Sequence, residues 1–235
     1  SNSASASEII AACLQDYKRA VIVGGEPTFG KGTVQRFINF DRLPGNDQFK
    51  PLGDMKITIQ KYYRVNGGSV QLKGVEPDVI LPDIYSEIDN GEKEYEHPMP
   101  YDVIDKKEVN QNTYVISNIE EIKAKSKQRI KSDSTFTLIT EQAKKLKEMR
   151  DQTVYSLNFN TYKSTMDKRK EEAKKFDKIG TGELPDLKSS NIKEDMAYIN
   201  VDSSRIGRNE DFLKNIRKDL QIYESVRILK DVQKK

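Results

Sequence analysis

The sequence predicts an α/β fold over residues 1–83, one half of an α/β sandwich core with a β-hairpin. A mainly α-helical C-terminal domain follows over residues 84–235, of which 84–116 form an irregular connector. Three observations carry this reading. A helix-spaced apolar stretch runs directly into a β-branched run at 19–23 (RAVIV), the order expected of an α/β unit. Residues 55–64 (MKITIQKYYR) alternate in character and lead into Val65-Asn66-Gly67-Gly68, whose Asn-Gly pair readily adopts the positive φ of a hairpin turn. Beyond residue 117, apolar residues recur at spacings of three and four, as on one face of a helix.

Taken in order, the first helix spans residues 8–17 and holds the single cysteine, Cys13, among Ala11, Ala12 and Leu14, which predicts a buried, inert thiol. Residues 19–23 are nearly all apolar, as in a strand buried on both faces. Residues 24–32 form the loop that carries Lys31, and 33–40 a second strand. Residues 41–54 (DRLPGNDQFKPLGD) have the Pro, Gly, Asn and Asp punctuation of a loop. Residues 69–72 return from the 65–68 turn as the partner of 55–64, and 73–83 (KGVEPDVILPD) add a short apolar run closed by proline.

Residues 84–101 are acidic and contain Tyr and Pro, which marks the boundary. Ser117 and Glu120 form a capping-box pair ahead of Ile119, Ile122 and Ile130, and a second helix carries Phe136, Ile139, Ala143, Leu146 and Met149. Residues 153–159 (TVYSLNF) alternate as a strand. Asn160 then caps a basic helix with Tyr162, Met166, Ala173 and Phe176 on its apolar side. Residues 180–190 read as a linker. The last helix runs from about Asn209, with Phe212, Ile216, Leu220, Tyr223, Val226, Leu229 and Val232 on one stripe.

Composition narrows the function classes. Lys and Arg (40) nearly balance Asp and Glu (37), so net charge points neither to nucleic acid nor to acidic partners. Residues 168–175 (KRKEEAKK) interleave acidic residues and lack aromatics, unlike the contiguous basic surface that nucleic acid requires. No apolar run is long enough to span a bilayer. With one Cys and one His there is no zinc constellation and no disulfide, and no metal or other cofactor is implied. His97 lies in a Glu- and Pro-rich stretch (EKEYEHPMP) and reads as an exposed loop residue, although a Ser-His-Asp triad would have to use it. The chain begins without methionine, immediately before a Ser/Ala run, and reads as a piece of a longer protein.

The chemistry-bearing stretch is residues 3–35. Ser5 and Glu8 stand at the spacing in which the Glu side chain bonds back to the cap's own N–H. That puts a serine at a helix N-terminus, where free N–H groups and the positive dipole end favour a developing negative charge. The same tetrad is the ordinary signature of a helix cap, and Ser3, Ser5 and Ser7 alternate, so the residues leave the choice among them open. Gly30 and Gly32 flank Lys31, which lets its backbone approach another segment closely. A lysine acting as a base must be neutral, which takes burial or a cationic neighbour. Residues 21–23, Phe29 and Val34 are apolar enough to bury it. The alternative is a turn with a solvated lysine.

Together SASASEI, DY and TFGKGTVQ resemble the catalytic stretch of the C-terminal processing (tail-specific) peptidases, serine endopeptidases that use a Ser/Lys dyad. KYYRVNGGSVQLKGVEPDVILP extends the likeness. YESVRILKDVQ is similar to the helical C-terminal extension of the longer members, so the resemblance covers nearly the whole chain. One departure is Gly24-Gly25 ahead of Glu26, where relatives commonly carry a single glycine. The resemblance implies that Ser5 is the nucleophile, Lys31 the general base and Gln35 the residue that orients the lysine amine. The Ala6 N–H would be one half of the oxyanion hole. Asp16 matches a position sometimes counted with the catalytic group. On a continuous helix it would stand roughly 16 Å along the axis from Ser5, at ~1.5 Å per residue.

The resemblance also implies protein or peptide substrates with flexible nonpolar C-termini, engaged partly by a PDZ domain, in a bacterial periplasm or cell envelope. In the family the second oxyanion donor, part of the substrate groove and the PDZ domain lie upstream of the nucleophile. The chain alone is therefore expected to be inactive. A reading of another class is a non-catalytic interaction module, in which residues 84–235 dock an adaptor, a substrate or a second protomer.

Overall fold

A computed structural model of the chain describes residues 2–45, 47–109 and 114–233. The fold is mixed α/β with substantial helical content and divides into two compact units. The division does not follow chain order. The first unit takes residues 1–80 and 89–117, and the second takes 81–88 and 118–235. Most of the expected connector therefore lies with the first unit.

In the first unit, helix α1 (Ala6–Asp16) is built from strong helix formers and ends in a Schellman motif. Lys18 adopts φ 51°, and the N–H groups of Lys18 and Arg19 close on the carbonyls of Gln15 and Leu14 at 2.9 and 2.8 Å. The buried face of α1 is Glu8 and Ala12, one turn apart. Cys13 lies one residue, hence about 100°, around the helix and is exposed, contrary to the buried thiol expected.

The run at 19–23 yields only a two-residue strand, β1 (Val23–Gly24). Residues 21–23 are half-buried rather than covered on both faces, because among the described residues this sheet has a single partner strand. That partner is β4 (Val79–Ile80), paired in parallel with Val23 opposite Val79.

The hairpin differs from the one expected. Strand β2 (Thr33–Asn39) pairs antiparallel with β3 (Asp54–Lys61), from Thr33 opposite Lys61 to Asn39 opposite Asp54, with a register shift between Val34 and Gln35. The long 40–53 connection is closed by the Phe40 N–H on the Gly53 carbonyl and the Leu52 N–H on Asp41 Oδ1. The turn at 65–68 does form, with the Arg64 N–H on the Gly68 carbonyl at 2.8 Å. Residues 69–72 then make one bridge, Tyr63 to Ser69, and dive inward. Val70 and Gln71 are buried there, which pulls the chain off the ladder. The core comprises Ala12, Val70 and Val75, with Ala11 and Tyr62 packed against them.

Residues 89–109 and 114–117 are irregular apart from one tight turn (Glu92–Glu94) and a bridge from Val103 to Gly68, and are stitched to this core. Glu92 N–H meets the Phe29 carbonyl, Ile104 N–H the Gly67 carbonyl, and Ile116 N–H the Lys18 carbonyl, at 2.8–2.9 Å.

The second unit contains α2 (Ile119–Ser132), α3 (Ser134–Asp151), α4 (Phe159–Ala173), α5 (Lys193–Ile199), α6 (Ser203–Ile216) and α7 (Leu220–Gln233). Helix α2 packs against α3 and α7, with Ile122, Phe136, Ile139, Ala143 and Ile228 buried. Several expectations are corrected here. The cap position of α2 is Asn118, without a side-chain bond, rather than Ser117. Residues 153–158 form no strand, and Leu157 is fully exposed, so alternation there had no sheet to pair with. Helix α4 is capped two residues earlier than expected, by Asn158 Oδ1 on the Thr161 N–H.

The single long C-terminal helix is two helices. Asp219 breaks it by accepting from the N–H groups of Gln221 and Ile222 at 2.8 and 3.0 Å, a fresh N-cap. The buried face of α7 is Glu224, Ile228 and Asp231 rather than the apolar stripe. Arg129 of α2 reaches both acids: Nε donates to Glu224 at 2.8 Å and Nη1 to Asp231 at 2.7 Å. Ser126 Oγ adds a bond to Glu224 at 2.7 Å. A buried carboxylate pair is tolerated only because this cation and hydroxyl face it.

Candidate active site

Ser5 stands at the N-cap of α1 with φ 56° and ψ −113°, a backbone region that non-glycine residues rarely occupy. Strain of this kind persists only where the surroundings over-determine it, and it concentrates at functional sites. Here the surroundings are explicit. The Ser5 N–H donates to Glu8 Oε2 at 2.9 Å, and the Ser5 carbonyl accepts from the Glu8 and Ile9 N–H groups at 2.9 and 3.1 Å. The Ser7 N–H is taken by the Ala4 carbonyl. Among the described residues no group accepts from the Ala6 N–H, which leaves it as an open donor beside Ser5 at the positive end of the helix.

Lys31 arrives on the 28–32 loop, which Glu8 also organises. Glu8 is fully buried, and its two oxygens accept from four donors. Oε1 takes Thr28 Oγ1 at 2.5 Å and the Gly30 N–H at 2.7 Å. Oε2 takes the Lys31 N–H at 2.8 Å together with the Ser5 N–H. The candidate nucleophile and the candidate base thus share one carboxylate oxygen through their main chains. Thr28 Oγ1 in turn receives the Val75 N–H at 2.7 Å, and the Phe29 N–H reaches the Ser3 carbonyl at 2.8 Å.

The flanking glycines have the physical role the sequence suggested. Gly30 adopts φ 87°. A Cβ on Gly32 would stand 2.7 Å from Ser69 Oγ and 2.8 Å from the Gln71 nitrogen, so only glycine lets the loop lie against the 69–72 segment. Buried Gln71 completes the clamp: Oε1 accepts from the Gly32 N–H at 2.8 Å and Nε2 donates to the Met99 carbonyl at 3.0 Å.

The remaining predicted residues are placed differently. Gln35 is an exposed residue of β2, beyond the register shift, and among the described residues it makes no hydrogen bond to Lys31. The Lys31 side chain is half-buried. Asp16, at the far end of α1, is engaged by Arg64, whose Nη2 lies 2.5 Å from Oδ1 and whose Nε donates at 3.1 Å. It braces the end of the helix against the 64–68 turn, away from Ser5. His97 is exposed.

Residues that sequence reasoning missed are Thr28, Gln71 and Tyr62, and Glu8 beyond its cap bond. The Tyr62 hydroxyl lies 2.5 Å from the Lys31 carbonyl oxygen and 3.1 Å from that of Ser5. Burial first, then the negative charges of Glu8 and Glu92, raise the pKa of this phenol well above the usual tyrosine value. The one available signal was the Ser-x-x-Glu spacing. The other partners are long-range. Among the described residues no group of three or more His, Cys, Asp or Glu side chains is placed to hold a metal ion. Ser5 stands beside an open N–H and Lys31 on a loop tied to Glu8 and Gln71; among the described residues no hydrogen bond joins their two side chains.

Residues 1–81 match the model of Peptidase family S41, and residues 85–234 match that of the C-terminal domain of tail specific protease (DUF3340). A tail-specific protease of Haemophilus influenzae is 41% identical over 169 residues, 71% of this chain and 24% of the relative. A carboxy-terminal-processing protease of Bartonella bacilliformis is 40% identical over 94 residues, 37% of this chain and 19% of the relative. A carboxy-terminal processing protease of Bacillus subtilis is 37% identical over 89 residues, 36% of this chain and 16% of the relative. The chain thus spans about a quarter or less of the length of these relatives. With one match over residues 1–81, which include Ser5 and Lys31, and another over residues 85–234, the chain belongs to the tail-specific protease family of S41 peptidases.

Proposed function

We propose that this chain carries the nucleophile and general base of a serine endopeptidase that acts through a Ser/Lys dyad. The observation that carries the proposal is the strained Ser5 backbone at a helix start, tied through one Glu8 oxygen to the main chain of Lys31. Neutral Lys31 takes the Ser5 hydroxyl proton, and the alkoxide attacks the scissile carbonyl. The Ala6 N–H holds one side of the oxyanion. Lys31 then protonates the leaving amine and later activates the water that hydrolyses the acyl-enzyme. Gln35 is assigned to the lysine amine by the family resemblance, and among the described residues it makes no hydrogen bond to Lys31. Asp16 acts by holding α1 to Arg64.

The substrates are proteins with flexible nonpolar C-terminal tails. That the relatives are tail-specific and carboxy-terminal-processing proteases supports action at C-terminal tails. The same bacterial relatives support a cell-envelope setting, and no described helix is long and apolar enough to cross a membrane. The second oxyanion donor, part of the substrate groove and a PDZ domain are assigned to residues outside these 235, and the chain alone is expected to be inactive. That the Haemophilus relative is about three times as long as this chain supports this. The exposed run of Val154, Leu157 and Phe159 favours a second role, the docking of an adaptor, a substrate or another protomer by the helical unit.

The test is cleavage of a denatured, nonpolar-tailed protein by the longer protein that carries this chain, with products read by mass spectrometry. Lys31→Ala is expected to lower kcat by about 100- to 10,000-fold, the usual worth of a general base. Cleavage that persists at the wild-type rate would exclude the dyad and leave the docking role.

A further inference from the structure

The Ser5 and Lys31 segments are gripped from two sides. Glu8 gathers their N–H groups, and the phenol of Tyr62 faces their carbonyls. Resting on the Ser5/Lys31 reading above, we propose that Tyr62 is a positioning residue for the reaction. Its hydroxyl fixes the separation of the nucleophile and base segments from the carbonyl side.

Three observations make the hydroxyl a fixed point. Tyr62 follows directly on Lys61, the last residue of β3, and its own N–H donates to the Gly32 carbonyl at 3.1 Å, so its backbone is tied to the loop it serves. Its ring packs on the Ala12, Val70 and Val75 core, which prevents it from swinging away. Burial beside Glu8 and Glu92 keeps the phenol protonated, so it remains a donor over the working pH range.

One hydroxyl proton serves one acceptor at a time. The Lys31 carbonyl, at 2.5 Å, takes it, whereas the Ser5 carbonyl at 3.1 Å already accepts from the Glu8 and Ile9 N–H groups. Losing the hydroxyl therefore frees the Lys31 peptide rather than the helix. The peptide plane between Lys31 and Gly32 is then held only through the Gly32 N–H on Gln71 Oε1, about which it can tilt, and the root of the lysine side chain moves with it. Displacement of a reacting group by about 1 Å costs on the order of 100-fold in rate.

The experiment compares Tyr62→Phe, Tyr63→Phe and Lys31→Ala with wild type, in the longer protein that carries this chain. kcat and KM are measured on a denatured, nonpolar-tailed protein, and kcat is normalised to the folded fraction from a thermal melt. Tyr63→Phe is the control. That neighbouring phenol bonds to Asp102 at 3.0 Å and, among the described residues, makes no hydrogen bond to either segment.

Tyr62→Phe is expected to lower kcat about 10- to 100-fold with KM within twofold, while Tyr63→Phe leaves kcat unchanged. A kcat per folded molecule equal to wild type in Tyr62→Phe overturns the proposal. So does an equal loss in both phenylalanine variants, since that would be a general effect on the strand end. Full cleavage by Lys31→Ala would instead overturn the dyad reading on which the proposal rests. A dead Lys31→Ala with an intact Tyr62→Phe removes Tyr62 alone.

Discussion

Glu8 is one side chain with two tasks. It returns a capping bond to Ser5, which the Ser-x-x-Glu spacing made legible, and it holds Thr28, Gly30 and Lys31, which the spacing could not announce because these lie 20 or more residues away. Glu8→Gln keeps the volume but replaces one acceptor oxygen with an N–H₂ turned toward N–H donors. Buried donors left without an acceptor cost about 1–3 kcal/mol each, so a loss of roughly 3 kcal/mol in urea unfolding is expected. A loss below about 0.5 kcal/mol would mean that the four bonds rearrange freely. Gly30 and Gly32 were legible as close-approach candidates because a residue without a Cβ lets the chain lie against another segment, although the same pattern also fits a turn with a solvated lysine. Tyr62 and Gln71 were not, since nothing local distinguishes a tyrosine or glutamine that clamps a distant loop from one that does not.

Elements were legible where a local pattern decides them and illegible where a partner does. Helix α1, strands β2 and β3 and the buried stripe of α3 follow from composition and spacing. The run 153–159 alternates like a strand but lacks a neighbour. The 65–68 turn formed without building the expected ladder, because buried Val70 and Gln71 draw the returning chain into the core. The buried side of α7 was hidden for a different reason. Acidic residues normally mark a solvent face, and only Arg129, on another helix, makes Glu224 and Asp231 interior groups. The α6–α7 break rests on Asp219, whose carboxylate caps two N–H groups. Asp219→Ala is expected to cost about 1 kcal/mol in denaturant unfolding, and no change would show that water caps α7 equally well.

At the scale of the molecule, the chain leaves the first unit at residue 81, returns at 89 and leaves again at 118. Composition could not mark the return, because residues 89–109 lack a regular pattern and are held by hydrogen bonds to distant carbonyls such as those of Phe29 and Gly67. Asp102 is one of the fasteners. Its bond from Lys61 Nζ at 2.8 Å holds its carboxyl below the ordinary value of 3.8, and the same bond raises Lys61 above 10.5. A depressed carboxylate contributes stability above its unfolded value and loses it as pH falls through the lower folded one. A raised lysine keeps its contribution until pH climbs past its ordinary value. The Tm deficit of Asp102→Asn is therefore expected to be constant near neutrality, to shrink toward zero in acid below the folded carboxyl value, and to shrink again in strong alkali. A deficit independent of pH would assign it to packing.

The return of residues 89–117 also sets a schedule. A ribosome delivers about 5–20 residues per second, and the bond between Ile116 and Lys18 joins one of the last residues of the first unit to one of its earliest. The Lys31 loop, whose Phe29 carbonyl accepts from the Glu92 N–H, gains that partner only seconds after it is made.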